Sequence, residues 1–333
     1  MDNSIDYLDL HKKINEDHIK RFFLKPDCSQ AIKDLDLMIK NLENEECPLY
    51  AALFLKNKAM IYRLSDDLWS MCASRVAAAE KLLESHNHDK QTNSVTYREK
   101  IYEAQELIFR CIDDLEKNNF IPIACNMYLY CADFLKNNFM FESAINCLSK
   151  AASLVPKDTL ISSYIYSKLI LLLIKTSDYV GALEACEVIL ELLEQEAKTT
   201  ERNTYSPLLI SSEIYRVLLT LLICPKTFDE RQVKKSMNQE KSLLSNYLSI
   251  VEDMEVVKKP FQFFPEEVYL CLSSFIVSHS NSVIFIPKFS YLENDSVEME
   301  KSSTYLVKFL DKEQSDLLRL LTMRFYNPQG KFE

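Results

Sequence analysis

The sequence predicts an all-α protein, and its glycine content is the first observation that indicates this. The 333-residue chain contains two glycines, Gly181 and Gly330, where average composition would give roughly twenty. Tight β-hairpin turns and nucleotide-binding loops both depend on glycine. The second observation is that apolar residues recur three and four positions apart along most of the chain, as one face of a helix requires. Together these features predict helices joined by short turns.

The clearest helical hairpin lies in residues 125–158. Small, aromatic and aliphatic residues recur there at the spacing of two antiparallel helices: Tyr128, Cys131, Ala132, Leu135, Ala144, Leu148, Ala151 and Pro156. Ala132 and Ala144 are small enough for two helix backbones to approach closely, and Pro156 ends the second helix. The pattern resembles the tetratricopeptide unit of about 34 residues.

Neighbouring segments repeat this hairpin imperfectly. Asn118-Asn119-Phe120 and Asn137-Asn138-Phe139 read as one turn repeated nineteen residues on, and Ala124 and Ala144 repeat at an offset of twenty. Each offset is the length of one helix plus one turn, so successive helices are expected to stack antiparallel. The predicted fold is a tetratricopeptide-like α-solenoid of antiparallel helical hairpins.

The predicted helices follow one another in order, each bounded by a cap, a proline or a polar turn. Pro265-Glu266-Glu267, for example, places proline in a first turn and two acids at the positive end of the helix dipole. The helices are predicted over residues 5–24, 27–42, 49–63, 66–85, a regular run of hairpins in 99–198, 211–222, one or two helices in 229–254, 265–277, 302–310 and 313–325. Residues 86–97 are predicted as a loop and 279–300 as an irregular connection.

The loss of apolar periodicity from Glu194 to Pro207 divides the chain. We therefore predict a hairpin array in residues 1–193, a linker in 194–207, and a C-terminal helical region in 208–333 that packs on the array.

Composition excludes several classes of function. A Walker loop, a dinucleotide fingerprint and a nucleophile elbow each need two or more closely spaced glycines, which Gly181 and Gly330 do not supply. The net charge of −10 disfavours a nucleic-acid partner. We predict no cofactor and no enzymatic activity, although a Cys–His site formed by residues distant in the sequence stays open as an alternative.

Cysteine and histidine spacing predicts no metal site. The ten cysteines are scattered without a C-x-x-C pair, and the five histidines lack metal-ligand spacing, so His86 and His88 are interpreted as residues of a solvated loop. Lone thiols and a start without a leader pattern indicate a reducing, intracellular compartment. The apolar runs at 169–174 and 217–224 are too short to span a bilayer. We expect a cytoplasmic protein without membrane insertion.

Six stretches, in order along nearly the whole chain, resemble a known family. They are KRFFLKP and then EECPLYAA within residues 19–52, DYVGAL at 178–183, EIYRVLL at 213–219, PEE at 265–267, Glu313-Gln314 with Leu317-Leu318, and a polar tail with Pro328 and Gly330. The chain resembles the family of the forty-kilodalton huntingtin-associated protein, also called the factor VIII intron 22 protein family, which has a similar KRFLRKP run and an E-C-x-x-Y-A-A step. Vertebrate members carry an Ala/Gly-rich start and a Pro-rich insertion near residues 194–207. This chain has neither, which favours an invertebrate member.

The resemblance implies a non-enzymatic, tetratricopeptide-like protein that binds huntingtin one-to-one and stabilises the arrangement of its helical-repeat domains. It also implies an adaptor role that links huntingtin to an early-endosomal Rab GTPase and to vesicle transport. The expected locations are then the cytoplasm, early endosomes and the nucleus.

Candidate partner-binding residues are basic, aromatic or apolar side chains near the ends of the array or in its helices: Arg21, Phe22, Lys25, Tyr50, Arg216, Leu317 and Phe325. Each also fits a core or solvated role. Arg216 is the sharpest candidate, because a charge among Ile214, Val217 and Leu218 needs a carboxylate from its own chain or from another.

A free tetratricopeptide adaptor for short peptides is the alternative function. Adaptors of that kind resemble one another in a Lys and Asn ladder on the first helix of each hairpin. The corresponding positions here hold Leu129 and Asp133, and in the next hairpin Ser167 and Leu171. Two leucines and an aspartate cannot bind a carboxylate, so the pattern disfavours this alternative.

Overall fold

A computed structural model describes residues 9, 12, 28–94, 97–199, 205–223, 264–284 and 300–326. Every regular element in these ranges is helical, and within each unit most consecutive helices pack on one another as in an α-solenoid. The prediction of an all-α protein is confirmed. The chain forms two compact units, Met1–Val155 and Pro156–Glu333. This boundary lies upstream of the predicted linker.

The helices, in chain order, are α1 (Cys28–Asn44), α2 (Pro48–Leu64), α3 (Leu68–Gln91), α4 (Glu99–Lys117), α5 (Ile121–Asn137), α6 (Phe141–Leu154), α7 (Thr159–Lys175), α8 (Tyr179–Thr199), α9 (Ser206–Ile223), α10 (Glu266–Ile284) and α11 (Lys312–Tyr326). Residues 300–306 are also helical and continue into a 3-10 turn, Val307–Phe309. The helices predicted over 5–24 and 229–254 fall outside the described residues, apart from Asp9 and Lys12, which are helical.

Three connections predicted as irregular begin with helix. α3 continues through His86 to Gln91, so the loop prediction is wrong there, and α10 continues to Ile284 within the range predicted as irregular. α8 continues to Thr199, and α9 begins at Ser206, so both ends of the predicted linker are helical. The reason is physical: a helical end that faces solvent needs helix-forming residues but no apolar stripe.

In the first unit, α1 to α5 each pack on the helix that follows. The hairpin α5–α6 has the predicted core, because every template side chain from Tyr128 to Ala151 is buried. Ala132 and Ala144 are both buried, as small residues at a helix crossing are expected to be, and so are Leu135 and Leu148. Burying each leucine contributes about 1.5–3 kcal/mol.

Six described turns between helices end in the same left-handed residue geometry. The residues are Glu46, Asp66, Asn93, Asn119, Phe139 and Ser177, with φ between 53° and 63°. In each turn this residue donates its N–H to the carbonyl three positions back, and the next residue donates to the carbonyl five positions back. This is the Schellman motif, whose left-handed position glycine normally occupies. The chain forms it six times without glycine.

The register of these turns corrects one prediction. The left-handed residue is Asn119 in the turn after α4 but Phe139 in the turn after α5. The two Asn-Asn-Phe sequences are therefore displaced by one position and are not structurally equivalent. The offset of twenty between Ala124 and Ala144, which are both fully buried, is the structural repeat.

In the second unit, α7, α8 and α9 pack in order, and α11 packs on α9. Asp178 caps α8 by accepting a hydrogen bond from the Gly181 N–H at 3.0 Å. A Cβ atom at Gly181 would lie 2.6 Å from Asp178 Oδ2. Gly181 therefore leaves room for the carboxylate that caps the helix.

A reciprocal capping box anchors α11 to α9. Gln314 N–H donates to Asp311 Oδ1 at 2.7 Å, and Asp311 N–H donates to Gln314 Oε1 at 3.1 Å. The Gln314 amide also donates to the Ser211 carbonyl at 3.2 Å, and the Tyr215 hydroxyl donates to Asp311 at 3.1 Å. Burial raises the pKa of both Tyr215 and Asp311. Residues about 100 positions apart in the sequence thus meet in one polar cluster.

Helix α9 is long and apolar enough, by length and composition alone, to cross a membrane. The prediction that the apolar runs are too short to span a bilayer was made for residues 169–174 and 217–224, whereas α9 as a whole has 18 residues. Most of α9 is buried within the structure. Core helices commonly have the same composition.

Candidate protein-interaction surface

Among the described residues, no group of three or more His, Cys, Asp or Glu side chains could hold a metal ion. His88 is exposed, as predicted, but His86 is 3% exposed and points inward from α3. Among the described residues, neither ring nitrogen of His86 has a hydrogen-bond partner. Burial, and then the positive charge of Lys90, lower the pKa of His86 below its ordinary value, so the ring is neutral near pH 7.

The predicted contact residues have different surroundings. Arg21, Phe22 and Lys25 lie outside the described residues. Tyr50 is exposed in the first turn of α2. Leu317 is 1% exposed, so in this structure its side chain packs inside the second unit. Phe325 belongs to α11, but its side chain is outside the described part.

Arg216 has a carboxylate partner within its own helix. Its Nη2 atom lies 2.6 Å from Oε2 of Glu213, one turn earlier, and Glu213 is 1% exposed. The expectation that Arg216 needs a carboxylate is confirmed, and the carboxylate comes from its own chain. The pair is costly to break, because the charge of Glu213 would remain buried without its partner.

The first exposed apolar surface lies at one end of the first unit. We call it the Trp69 edge and define it as Leu64, Trp69, Phe120 and Ile123, all of which are exposed. The Trp69 and Phe120 rings pack with centroids 4.8 Å apart, so the starts of α3 and α5 meet here. Trp69 is nevertheless 50% exposed. It is also the single tryptophan of the chain.

The second exposed surface lies at the opposite end of α3. Lys90, in the last turn of α3, donates to Asn138 Oδ1 at 2.8 Å in the turn after α5. Phe139 follows directly and packs edge-on against Phe141, with ring centroids 6.1 Å apart. We call Phe139 and Phe141 the Phe139 edge. The two edges lie at opposite ends of α5, whose 17 residues span about 26 Å.

Phe139 is unfavourable for an isolated chain in two ways. Its left-handed backbone costs about 1–2 kcal/mol for a residue with a side chain. Its ring is also 68% exposed, so little hydrophobic stabilisation offsets that cost. Bulky residues in this conformation are true outliers, and such strain is often retained for function. The repeated Asn-Asn-Phe sequence indicates a turn here, but it pairs Phe139 with Phe120, one position after the left-handed Asn119, so the strained residue was not predicted.

No family model matches this chain, and no curated protein matches it. The likeness to the huntingtin-associated protein family stays a prediction from the six stretches of sequence.

Proposed function

We propose that this chain is a non-enzymatic interaction protein that binds huntingtin and stabilises it as a subunit of a one-to-one complex. A link to an early-endosomal Rab GTPase and to vesicle transport, in the cytoplasm and nucleus, belongs to the same proposal. The six stretches of resemblance support the identity of the partner. The observation that supports a binding function most directly is Phe139.

Binding to a partner would change the surroundings of Phe139. In the free chain, Phe139 combines backbone strain with an exposed ring. A partner that covers this ring gains about 1.5–3 kcal/mol from its burial. Aromatic side chains that fill partner pockets are typical anchors of protein interfaces. The Trp69 edge, at the other end of α3, offers a second aromatic anchor.

Co-expression with huntingtin from the same organism, followed by size exclusion, tests the proposal. We expect one stable peak that contains both chains in equal amounts. Phe139→Asn should weaken the complex at least tenfold, because asparagine tolerates the left-handed backbone but removes the ring. Tyr102→Ala, which removes an exposed aromatic side chain on α4, is the matched control and should leave binding unchanged.

A well-behaved monomer that ignores huntingtin would contradict the proposal. If that monomer bound short acidic peptides, the free peptide-binding adaptor would take its place. If the complex formed and Phe139→Asn bound as tightly as the unaltered chain, huntingtin would remain the proposed partner. The Phe139 edge would then be excluded as the surface that anchors it.

A further inference from the structure

Two buried thiols face each other across the hairpin formed by α3 and α4. The Cys111 Sγ atom lies 3.7 Å from the carbonyl oxygen of Cys72, although the two residues are 39 positions apart. The Cys111 S–H can donate either to this carbonyl or to the Cys72 sulfur. Both are free cysteines. Cys111 is fully buried, whereas Cys72 is 8% exposed.

A fixed positive charge lies beside this pair. Arg75 follows Cys72 by one helical turn and donates to Asp114 Oδ2 at 2.6 Å and to the Arg110 carbonyl at 3.2 Å. The guanidinium is therefore held in place by α4. The hydrogen bond from Cys111, and then the charge of Arg75, lower the pKa of the Cys72 thiol. The pKa of Cys111 is raised, because Cys111 is the donor in that hydrogen bond and is buried.

We propose that Cys72 and Cys111 form a redox-sensitive dithiol that a hydroperoxide converts to a disulfide between α3 and α4. The Cys72 thiolate attacks one peroxide oxygen, the O–O bond breaks, and the other oxygen leaves as water or an alcohol. The sulfur of Cys111 then attacks the resulting sulfenic acid, the S–O bond breaks, and water leaves. Two thiols lose two electrons in total, and one hydroperoxide gains them.

The hairpin α5–α6 contains an internal comparison. The hydrogen bond from Cys131, and then the charge of Lys150, likewise lower the pKa of Cys147, and both thiols are fully buried. The nearby cation is Lys150, whose ammonium group lies over the rings of Phe109 and Tyr128, 5.6 and 6.0 Å from their centroids. This pair is less exposed than Cys72, and in the part of the chain that the structure describes no guanidinium is held beside it by an ion pair. We therefore expect it to react more slowly than Cys72 and Cys111.

Trp69 provides a built-in reporter of this reaction. It lies on α3, three residues before Cys72, and it is the single tryptophan in the sequence. A disulfide that draws α3 and α4 together should change its packing on Phe120. Tryptophan fluorescence should therefore follow the oxidation without any added label.

The test treats the full chain with graded hydrogen peroxide, alkylates the remaining thiols, and identifies linked peptides by mass spectrometry. We expect the Cys72–Cys111 link to form at least five times faster than a Cys131–Cys147 link. Dithiothreitol should reverse it, and Trp69 fluorescence should change with the same time course. Cys72→Ser, a nearly isosteric change, should abolish both the link and the fluorescence response.

Arg75 variants test whether the site is built for this reaction. Arg75→Gln should slow formation of the link about tenfold, whereas Arg75→Lys, which keeps the charge, should slow it less. Circular dichroism confirms that each variant is folded, and Arg75→Lys carries the test if Arg75→Gln does not fold. A Cys131–Cys147 link that forms as fast, or a fluorescence response that survives in Cys72→Ser, would overturn the proposal.

Discussion

Replacing Glu46 by glycine should stabilise the first unit. Glu46 is exposed and occupies the left-handed position of the turn between α1 and α2, with φ 55°. The left-handed conformation costs a residue with a side chain about 1–2 kcal/mol, and glycine does not bear this cost. Glycine is freer in the unfolded chain, which takes back about 0.5–1 kcal/mol. The expected net gain in the free energy of unfolding is about 0.5–1 kcal/mol.

Urea unfolding followed by circular dichroism measures this gain. The midpoint should rise without a change in slope, and Tm should rise by about 2–4 °C per kcal/mol gained in a unit of this size. Glu46→Ala is the matched control, because it removes the carboxylate but keeps the strain, and it should be nearly neutral. Lys40→Gly, inside α1, should instead lower stability by about 1 kcal/mol.

The stabilities of these three variants together show whether the left-handed backbone at Glu46 is strained. If Glu46→Gly were no more stable than Glu46→Ala, the left-handed backbone would carry no measurable strain. The same result would weaken the argument for Phe139, which shares this conformation.

Three further substitutions test individual contacts. Gln314→Ala should lower the free energy of unfolding by about 2–3 kcal/mol, because it removes a buried amide from the contact between α11 and α9; an unchanged urea midpoint would contradict this. His86→Leu should raise Tm more at about pH 5.5 than at about pH 7.5. The folded-state pKa of His86 is lowered, so protonation below its ordinary value of 6.5 favours the unfolded chain. His88→Leu is the control on the same helix, and an equal gain at both pH values would refute the reasoning. Arg216→Met should lower the free energy of unfolding by about 3–5 kcal/mol, because Glu213 stays buried without its partner. Adding Glu213→Gln should recover part of that loss. A double variant that unfolds at the same urea concentration as the single one would show that the pair is not coupled.

Local patterns in the sequence predict much of this fold. The core of α5–α6, from Tyr128 to Leu148, follows from residues spaced along single helices, because burial repeats with the helical period. Helix ends were harder to predict. α3 continues past His86 and α8 continues to Thr199, since exposed turns need no apolar side chains.

The candidate site depended on information that spacing does not contain. The left-handed backbone of Phe139 is determined by where α5 ends. The sequence does not show this, because the two Asn-Asn-Phe runs align Phe139 with Phe120 and not with the left-handed Asn119. The Cys72–Cys111 contact joins residues 39 positions apart, and the sequence around either cysteine does not indicate the other as its partner. The partner of Arg216 could have been predicted, because Glu213 lies one turn earlier on the same helix.

The contact between α11 and α9 also determines when the second unit can be completed during synthesis. Hairpins such as α7–α8 join neighbouring segments and can form soon after they leave the ribosome. The bond from Gln314 to Ser211 spans 103 positions, so it cannot form until Gln314 has been made. Until then, one face of α9, a helix with the composition of a membrane span, stays uncovered. A premature stop before Lys312 would make that exposure permanent, and such a chain would become a substrate for chaperones and proteases.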